Sequence, residues 1–255
     1  MRFASLGSGS RGNATLIEDG ETCLLVDLGF GIRETERRLQ HLGKNPADIN
    51  ALLVTHEHSD HIQGVGAFAR KYELPVYVTP GTGRHVSLER IPVLSGINLH
   101  KTFRIQSITI EPVAVPHDAR EPCQFVFSAN NKRLGLLTDV GHITPHVRDC
   151  YGECDGLILE ANHDVTLLEE GSYPWPLKKR VGGQHGHLSN EQAAGLLEAV
   201  DLDRLQYLVL SHLSEQNNRP ELAIEAVETV LGSRNVEVCL SEQADVLDWI
   251  DLSSC

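Results

Sequence analysis

Six short apolar segments, distributed over most of the chain, each end in a polar residue of a metal-binding type. The segments have the length of strands, are rich in leucine and β-branched residues, and are bounded by turn residues. The polar residues that follow them are, in chain order, Asp27, the segment 55–61, His117, Asp139, Glu160 with His163, and His212. Side chains at the ends of neighbouring strands lie close together in a sheet. The pattern therefore predicts a sheet protein whose polar strand ends converge on one site.

The segment 55–61 has the sequence THEHSDH and directly follows the apolar run 51–54. His56 and His58 are two residues apart, so their side chains leave extended backbone on the same face, while Asp60 and His61 lie beyond, where the chain turns. Neutral imidazole and carboxylate groups suit zinc, manganese and iron, and burial without a partner would be costly for each. One pair of ligands can bind one ion and the other pair a second ion about 3.5–4 Å away. Such a two-metal site can catalyse hydrolysis. The alternative is a solvated turn that happens to be rich in histidine.

Helices are predicted between the strands, and each prediction depends on a periodic pattern or an end signal. The predicted helices are residues 33–42 with Gly43 as C-cap, residues 62–72, a helix that a Ser189–Gln192 capping box opens and that continues to Val200, and Pro220 to Leu231. Hairpin turns are predicted at Asp19-Gly20 and Asn130-Asn131. Strands and exposed helices in both halves indicate an α/β fold with two packed sheets and helices outside, in four layers. Because no linker is visible, residues 1–255 are interpreted as a single domain.

The net charge of −13 argues against a broad basic face for nucleic acid, although it allows a local phosphate pocket. The most basic short run is residues 178–180. No apolar stretch is long enough to span a bilayer, and the first residues lack the apolar core of a secretory signal. The six cysteines include no CxxC pair, so reduced thiols are expected. These features predict a cytoplasmic protein without a membrane partner.

The histidines and aspartates of segment 55–61, followed in order by His117, Asp139 and His212, resemble the signature of the metallo-β-lactamase fold. The resemblance spans nearly the whole chain and implies an αββα sandwich. Further segments are similar to the YycJ/WalJ-type subfamily, which is linked to DNA exonuclease activity. These segments are residues 7–13, 160–164, 186–190 and 211–214, the last followed by Asn217 and Asn218.

The resemblance also implies a ligand set for two divalent ions, zinc or manganese, with iron as a further possibility. The implied groups are His56, His58 and His117 on one ion, Asp60, His61 and His212 on the other, and Asp139 as the bridge. A solvent molecule that bridges the ions would be deprotonated near neutral pH and act as nucleophile, with Asp60 as a candidate for orienting it. Family members with a redox di-iron centre have a carboxylate in the place of His58, so histidine there favours hydrolysis. Asp27 is expected to hydrogen-bond a ligand histidine.

The segment 178–190 combines cations, glycines, two histidines and a helix start, and a helix start favours anions. The candidate substrate-binding residues are Lys178, His185, His187, Ser189, Asn190 and, after a neighbouring strand, His163. Alternatives remain for three of them. Ser189 would serve only as a helix N-cap, Lys178 would lie on a solvated face, and His163 would hold a loop together.

The leading hypothesis is a phosphodiesterase that acts on nucleic-acid ends, as a 5′-to-3′ DNA exonuclease would. His187 is a candidate catalytic residue that stabilises developing charge or assists the leaving oxygen. A single-stranded or otherwise accessible DNA end, passing a local basic patch, is compatible with the acidic chain. The alternatives are thioester hydrolysis as in glyoxalase II relatives, β-lactam hydrolysis, and a metal-binding regulator without turnover. The complete ligand set weighs against the last of these, and the oligomeric state stays open.

Overall fold

The computed structural model describes residues 1–252, and its main feature is a pair of seven-stranded sheets packed face to face. The first sheet contains, in spatial order, β14 (Leu247–Asp251), β1 (Arg2–Gly7), β2 (Ala14–Asp19), β3 (Thr22–Val26), β4 (Ala51–Leu53), β5 (Val76–Val78) and β6 (Leu94–Gly96). The second contains β13 (Glu237–Leu240), β12 (Tyr207–Ser211), β11 (Gly156–Glu160), β10 (Lys132–Leu137), β9 (Cys123–Ala129), β8 (Ile108–Ala114) and β7 (Phe103–Ile105). Strands β3 to β6 of the first sheet run parallel to one another, and so do strands β10 to β13 of the second.

Eight α-helices of the described residues connect these strands. They are α1 (Ile32–His41), α2 (Ser59–Ile62), α3 (Val65–Tyr72), α4 (Pro145–Tyr151), α5 (Val165–Glu170), α6 (Trp175–Val181), α7 (Asn190–Ala199) and α8 (Pro220–Leu231). Three short 3₁₀ helices are added at Pro46–Asp48, Thr82–Arg84 and Val86–Leu88. The helices of residues 1–252 are all too short or too polar for a bilayer crossing, which needs about 20 apolar residues.

Three apolar layers show how the sheets and helices stack. The middle layer joins the two sheets, with Phe3 and Val26 on one side and Phe125 on the other. A second layer packs the opposite face of the first sheet, including Leu25, against α1 and α3. A third packs the second sheet against α4, α7 and α8. Because successive strand residues point to opposite faces, each sheet is buried on both faces, which confirms the predicted four-layer αββα sandwich.

The end signals of several elements are confirmed. The chain turns between β2 and β3 directly after Asp19, and it turns between β9 and β10 at Asn130 and Asn131, whose φ angles are 50° and 61°. Positive φ at two central residues is the requirement of the tight hairpin turn that asparagine favours. Ser189 is the N-cap of α7, and its capping box with Gln192 is formed in both directions.

The single helix expected over residues 62–72 is wrong, because the structure has two helices, α2 and α3, with a break at Gln63 and Gly64. Tertiary hydrogen bonds cause the break. The carbonyl of Asp60 accepts from the backbone N–H of Asn13 at 2.8 Å, and the N–H of Gly64 donates to the carbonyl of Leu28 at 2.8 Å. These bonds replace the one that would continue the helix from Asp60 to Gly64, and they attach the segment around Asp60 to the loops that follow β1 and β3.

Replacing Gly64 with alanine should destabilise the fold, because an added Cβ would lie 2.0 Å from the carbonyl oxygen of Phe30. We expect the free energy of unfolding, measured in urea, to fall by about 1–3 kcal/mol, as for other overpacked sites. Gly195 in α7 is the matched control, since its Cβ would meet nothing within 4 Å. Gly195→Ala should raise the free energy of unfolding by up to about 1 kcal/mol through helix propensity. Equal stability of Gly64→Ala and the wild type would contradict the packing argument.

Candidate metal centre

The polar strand ends of both sheets meet at one edge of the sandwich. Asp27 follows β3 and segment 55–61 follows β4, and these two strands are parallel. Asp139 and His212 follow β10 and β12, which lie on either side of β11 in a parallel arrangement. Asp27, Asp139 and His212 have left-handed backbone, with φ of 58°, 51° and 55°. The left-handed conformation costs a non-glycine residue about 1–3 kcal/mol and persists only where the surrounding structure enforces it. Such residues are concentrated at functional sites.

The first cluster consists of His56, His58 and His117. The Nδ1 atom of His58 lies 3.0 Å from Nε2 of His56 and 3.2 Å from Nε2 of His117. Two nitrogens that each lie about 2.0–2.1 Å from a tetrahedral zinc ion stand about 3.3 Å apart, so these separations suit a shared cation. Burial holds the pKa of His56 well below its ordinary value, and burial also lowers the pKa of His117. A lowered pKa favours the neutral ring, which is the form that binds metal.

The second cluster consists of Asp60, His61 and His212. The Oδ2 atom of Asp60 lies 3.4 Å from Nε2 of His61 and 3.6 Å from Nε2 of His212. Asp139 stands between the two clusters. Its Oδ2 is 3.1 Å from Nε2 of His61, and its Oδ1 is 3.9 Å from Nε2 of His117. The structure thus brings together the seven side chains that the family resemblance assigns to metal, with Asp139 between the two clusters.

Two buried atoms of this centre test whether its residues fit a metal. Oδ2 of Asp139 and Nε2 of His212 are inaccessible to solvent and have no hydrogen-bond partner among the described residues. A buried polar atom left unsatisfied costs about 1–3 kcal/mol, and more for a charged group. A divalent cation would be a suitable partner for each of these atoms. The carboxylate and imidazole donors around them are the ligand types of zinc, manganese and iron, so the residues fit such a group.

Hydrogen bonds from outside the clusters fix the orientation of the rings. Nδ1 of His61 lies 2.8 Å from Oδ2 of Asp27, so the predicted bond between Asp27 and a ligand histidine is present. Asp27 also accepts from the backbone N–H and the hydroxyl of Thr55, each at 2.8 Å. Nδ1 of His117 lies 3.0 Å from the carbonyl oxygen of Gly186. In both rings the Nε2 atom is left for the centre, the arrangement by which metal sites hold ligand histidines in place.

The sequence places Glu160 at a strand end that converges on the site, but it does not reveal which residues Glu160 contacts. It ends β11, is fully buried, and accepts hydrogen bonds from the backbone N–H groups of Val140 and Leu188, each at 3.1 Å. Its Oε1 lies 2.8 Å from Nδ1 of His187 and 3.0 Å from Nδ1 of His212. Burial raises the pKa of Glu160, but the two histidines outweigh it and hold the pKa below its usual range. The sequence feature that points to Glu160 is its position directly after the apolar run 157–159 and shortly before Asn162 and His163.

A cavity of about 320 Å³ opens over the metal centre. Its lining includes Asp60, Asp139, His187 and His212, together with Tyr173 and Arg180 from the segment that contains α6. Nε of Arg180 donates to Oδ2 of Asp118 at 2.6 Å, and Oδ1 of Asp118 lies 3.7 Å from Nε2 of His58. The predicted catalytic residues Asp60 and His187 therefore face the same space. Arg180 is a cation of the cavity whose individual position the sequence did not reveal.

Ser189 and Asn190, two of the predicted substrate-binding residues, are buried and form hydrogen bonds within the protein. The hydroxyl of Ser189 accepts from the backbone N–H of Gln192 at 3.2 Å, which is the N-cap alternative considered above. The amide of Asn190 exchanges two hydrogen bonds with that of Asn218, each at 2.9 Å. The side chains at the start of α7 are therefore engaged with the protein itself. A phosphate contact by Ser189 or Asn190 stays a prediction.

Of the remaining four predicted residues, His187 lines the cavity over the metal centre, and His185, Lys178 and His163 do not. His185 is exposed, two residues before His187. Lys178 donates through Nζ to the backbone carbonyl of Glu169 at 2.6 Å. His163 is buried, with Nδ1 at 3.3 Å from Oδ1 of Asn162, and burial lowers its pKa. Lys178 and His163 line a second, adjoining groove.

Solved structures with the same fold define the class of this protein. The metallo-β-lactamase fold protein YhfI from Bacillus subtilis aligns with a TM-score of 0.74 over 96% of this chain and 98% of its own, at 17% identity. Zn²⁺-bound PqqB from Methylobacterium extorquens aligns with a TM-score of 0.71 over 97% of this chain and 100% of its own, also at 17% identity. At such identities the likeness shows the fold alone. The class is that of the metallo-β-lactamase fold.

The chain belongs to the metallo-β-lactamase superfamily, since residues 22–213 match the family model of the Beta-lactamase superfamily domain. It is 38% identical to exodeoxyribonuclease YycJ of Bacillus anthracis over 93% of this chain and 92% of that protein. It is 37% identical to exodeoxyribonuclease WalJ of Streptococcus pneumoniae over 88% of this chain and 85% of that protein. With the clusters of histidine and aspartate, these relationships show a metal-dependent hydrolase.

Proposed function

We propose that this protein is a phosphodiesterase that degrades single-stranded or end-accessible DNA from its 5′ end. The observation that carries the proposal is the near full-length similarity to exodeoxyribonuclease YycJ. The geometry supports it, because the cavity over the metal centre contains Arg180, whose planar guanidinium suits a phosphate group. Tyr173 adds an aromatic ring to the same cavity.

The seven side chains of the two clusters and Asp139 are proposed to hold two divalent ions. When bound, such ions supply Lewis acidity, which polarises a phosphoryl oxygen and lowers the pKa of water. The protein positions the remaining groups. Asp60 lies in both the second cluster and the cavity lining, so it can bind metal and orient a water molecule through its carboxylate.

His187 is proposed to donate a proton or a hydrogen bond to the leaving oxygen of the scissile phosphate. Its Nδ1 is engaged with Glu160, so Nε2 is the ring nitrogen that remains for substrate. Burial lowers the pKa of His187, but the carboxylates of Glu160 and Asp139 outweigh it, and the net pKa lies above its ordinary value. An imidazole whose Nε2 faces the substrate can donate a hydrogen bond or act as a general acid.

The test is a digest of single-stranded DNA by the metal-loaded protein. The substrate is a twenty-nucleotide strand with a 5′-phosphate and a fluorophore at its 3′ end. We expect a ladder of labelled strands that shorten one nucleotide at a time, because removal from the 5′ end leaves the label in place. The same protein is assayed with S-lactoylglutathione and with a chromogenic β-lactam. Turnover of one of these alone would contradict the proposal, and no turnover of any substrate by fully metallated protein would favour a regulator.

A further inference from the structure

We propose that a groove on the outer face of α6 binds the single strand that leads away from the metal centre. Tyr173 and Trp175 would stack with bases, and Lys178 and Lys179 would contact the phosphates. This assignment depends on the proposed function for its substrate class. It concerns a surface on the other side of α6 from the cavity over the metal centre.

Helix α6 separates two cavities, and the spacing of its residues shows this. Leu177, Arg180 and Val181 line the cavity over the metal centre. Trp175, Lys178, Lys179 and Gly182 line a groove of about 850 Å³ instead. The spacings of three, four and seven residues in the second set are those of a single helix face, so the two sets lie on different sides of the helix.

The groove adjoins the metal cavity at Tyr173, which lines both. A strand whose terminal phosphate lies at the metal centre could therefore pass the N-terminal end of α6 and continue into the groove. Arg180 on the inner face of α6 and the two lysines on its outer face would accompany the backbone along this path. The larger volume of the groove suits several nucleotides better than it suits one terminal group.

The aromatic residue of this face is unusually exposed. Trp175 has 72% of its surface accessible, more than the other large apolar side chains that the structure describes as exposed. Val165, at 41%, lines the same groove, so two exposed apolar residues adjoin here. An apolar patch of this kind marks a binding surface more often than a single exposed residue does. Nucleobases are suitable occupants, because each presents a π-face that an indole ring can stack on.

Charge supports a polyanion as the occupant. Lys178, Lys179 and Arg180 form the basic end of α6 in a chain with a net charge of −13. Among the described residues neither Lys178 nor Lys179 forms an ion pair with a carboxylate. Nζ of Lys178 donates to the backbone carbonyl of Glu169. The groove does contain the carboxylate of Glu169. Alternating aromatic and cationic side chains along a groove are the usual means of binding a single strand without sequence preference.

Tryptophan fluorescence provides a direct test, because the chain has two tryptophans. Trp249 donates to the carbonyl of Leu42 and is covered by Arg2 at 4.3 Å, so Trp175 is the ring open to a ligand. The probe is a phosphorothioate-linked strand of twelve thymidines, added to the metal-loaded protein. We expect quenching on binding. Trp175→Phe should bind with similar affinity but without that quenching, since phenylalanine preserves stacking and removes the fluorophore.

Kinetics separate the groove from the catalytic centre. Trp175→Ala should raise KM for a 5′-phosphorylated strand of twelve thymidines by about 5- to 100-fold, the range that loss of one stacked base implies. Lys178→Ala combined with Lys179→Ala should raise KM and reduce its salt dependence. Both variants should retain the wild-type kcat and hydrolyse bis(4-nitrophenyl) phosphate normally, because that substrate is too small to reach the groove. Lys101→Ala, an exposed cation elsewhere, is the matched control and should change nothing.

The outcomes distinguish the groove from the activity. If the wild type degrades the strand while both variants keep its KM, the groove assignment is wrong and the proposed function stands. If the strand quenches Trp175 but is not hydrolysed, the groove assignment stands and the exonuclease proposal is wrong. A duplex of the same length that binds as tightly as the single strand would overturn the single-strand preference.

Discussion

Replacing Asp139 with asparagine should abolish hydrolysis and remove most of the bound metal. The carboxylate of Asp139 lies between the clusters: its Oδ2 is 3.1 Å from Nε2 of His61, and its Oδ1 is 3.4 Å from Nδ1 of His212 and 3.9 Å from Nε2 of His117. An amide has no negative charge and offers one acceptor oxygen in place of two. Burial raises the pKa of Asp139, but His212 and His61 outweigh it and hold the pKa well below its ordinary value. The native group is therefore the charged carboxylate that two cations require, and the substitution should weaken both sites.

The measurement is the number of metal ions per chain after dialysis, alongside kcat/KM on 5′-phosphorylated single-stranded DNA. We expect kcat/KM to fall by more than about 100-fold, because loss of a partner that only orients a ligand already costs about 10- to 100-fold. His117→Ala removes a ligand from the first cluster alone, so it should lower the occupancy of one site and spare the other. Circular dichroism confirms that each variant is folded. Two retained ions and normal turnover in Asp139→Asn would disprove the bridge.

The convergence of the strand ends could be predicted from the sequence, because the rule behind it is local. An apolar run of strand length followed by Asp, Glu or His is visible without tertiary information, and parallel strands place their ends on one edge. Asp27 is the clearest case. Its position after β3 placed it near the site, and the resemblance to the metallo-β-lactamase fold added the expectation of a bond to a ligand histidine; the bond is present at 2.8 Å to His61.

The break between α2 and α3 could not be predicted, because residues distant in sequence cause it. The periodicity of residues 62–72 is helical throughout, and Gly64 alone gives a weak signal. The partners that end α2 are the carbonyl of Leu28 and the N–H of Asn13, which reach the segment only after the first sheet has formed. Long-range hydrogen bonds of this kind override local propensity.

The division of the basic run 178–180 was also invisible in the sequence. Three consecutive cations suggest one shared role, yet Arg180 lines the metal cavity while Lys178 and Lys179 line the outer groove. The division depends on where helix α6 begins and which side it packs against. The sequence shows that residues 178–180 are cationic, but only the tertiary structure shows which of the two cavities each side chain lines.

Replacing His187 with glutamine should reduce kcat on DNA by about 10²- to 10⁴-fold, the range that general acid catalysis typically contributes. Glutamine can keep a hydrogen bond to Glu160 but cannot release a proton to the leaving oxygen. The loss should depend on the substrate. A deoxyribose leaving oxygen needs a proton, whereas 4-nitrophenolate leaves without one, so turnover of bis(4-nitrophenyl) phosphate should fall far less. His100→Ala, an exposed histidine remote from the centre in sequence, is the control and should keep full activity on both substrates.

Metal content distinguishes this role from direct metal binding. His187 lies near the centre, with Nδ1 at 3.5 Å from Oδ1 of Asp139, so a ligand role has to be tested as well. If His187 acts on the leaving group, His187→Gln should retain the metal of the wild type while kcat falls. If it binds metal, occupancy and activity should fall together on both substrates. Equal losses on DNA and on bis(4-nitrophenyl) phosphate would contradict proton donation, since only one of the two leaving groups requires it.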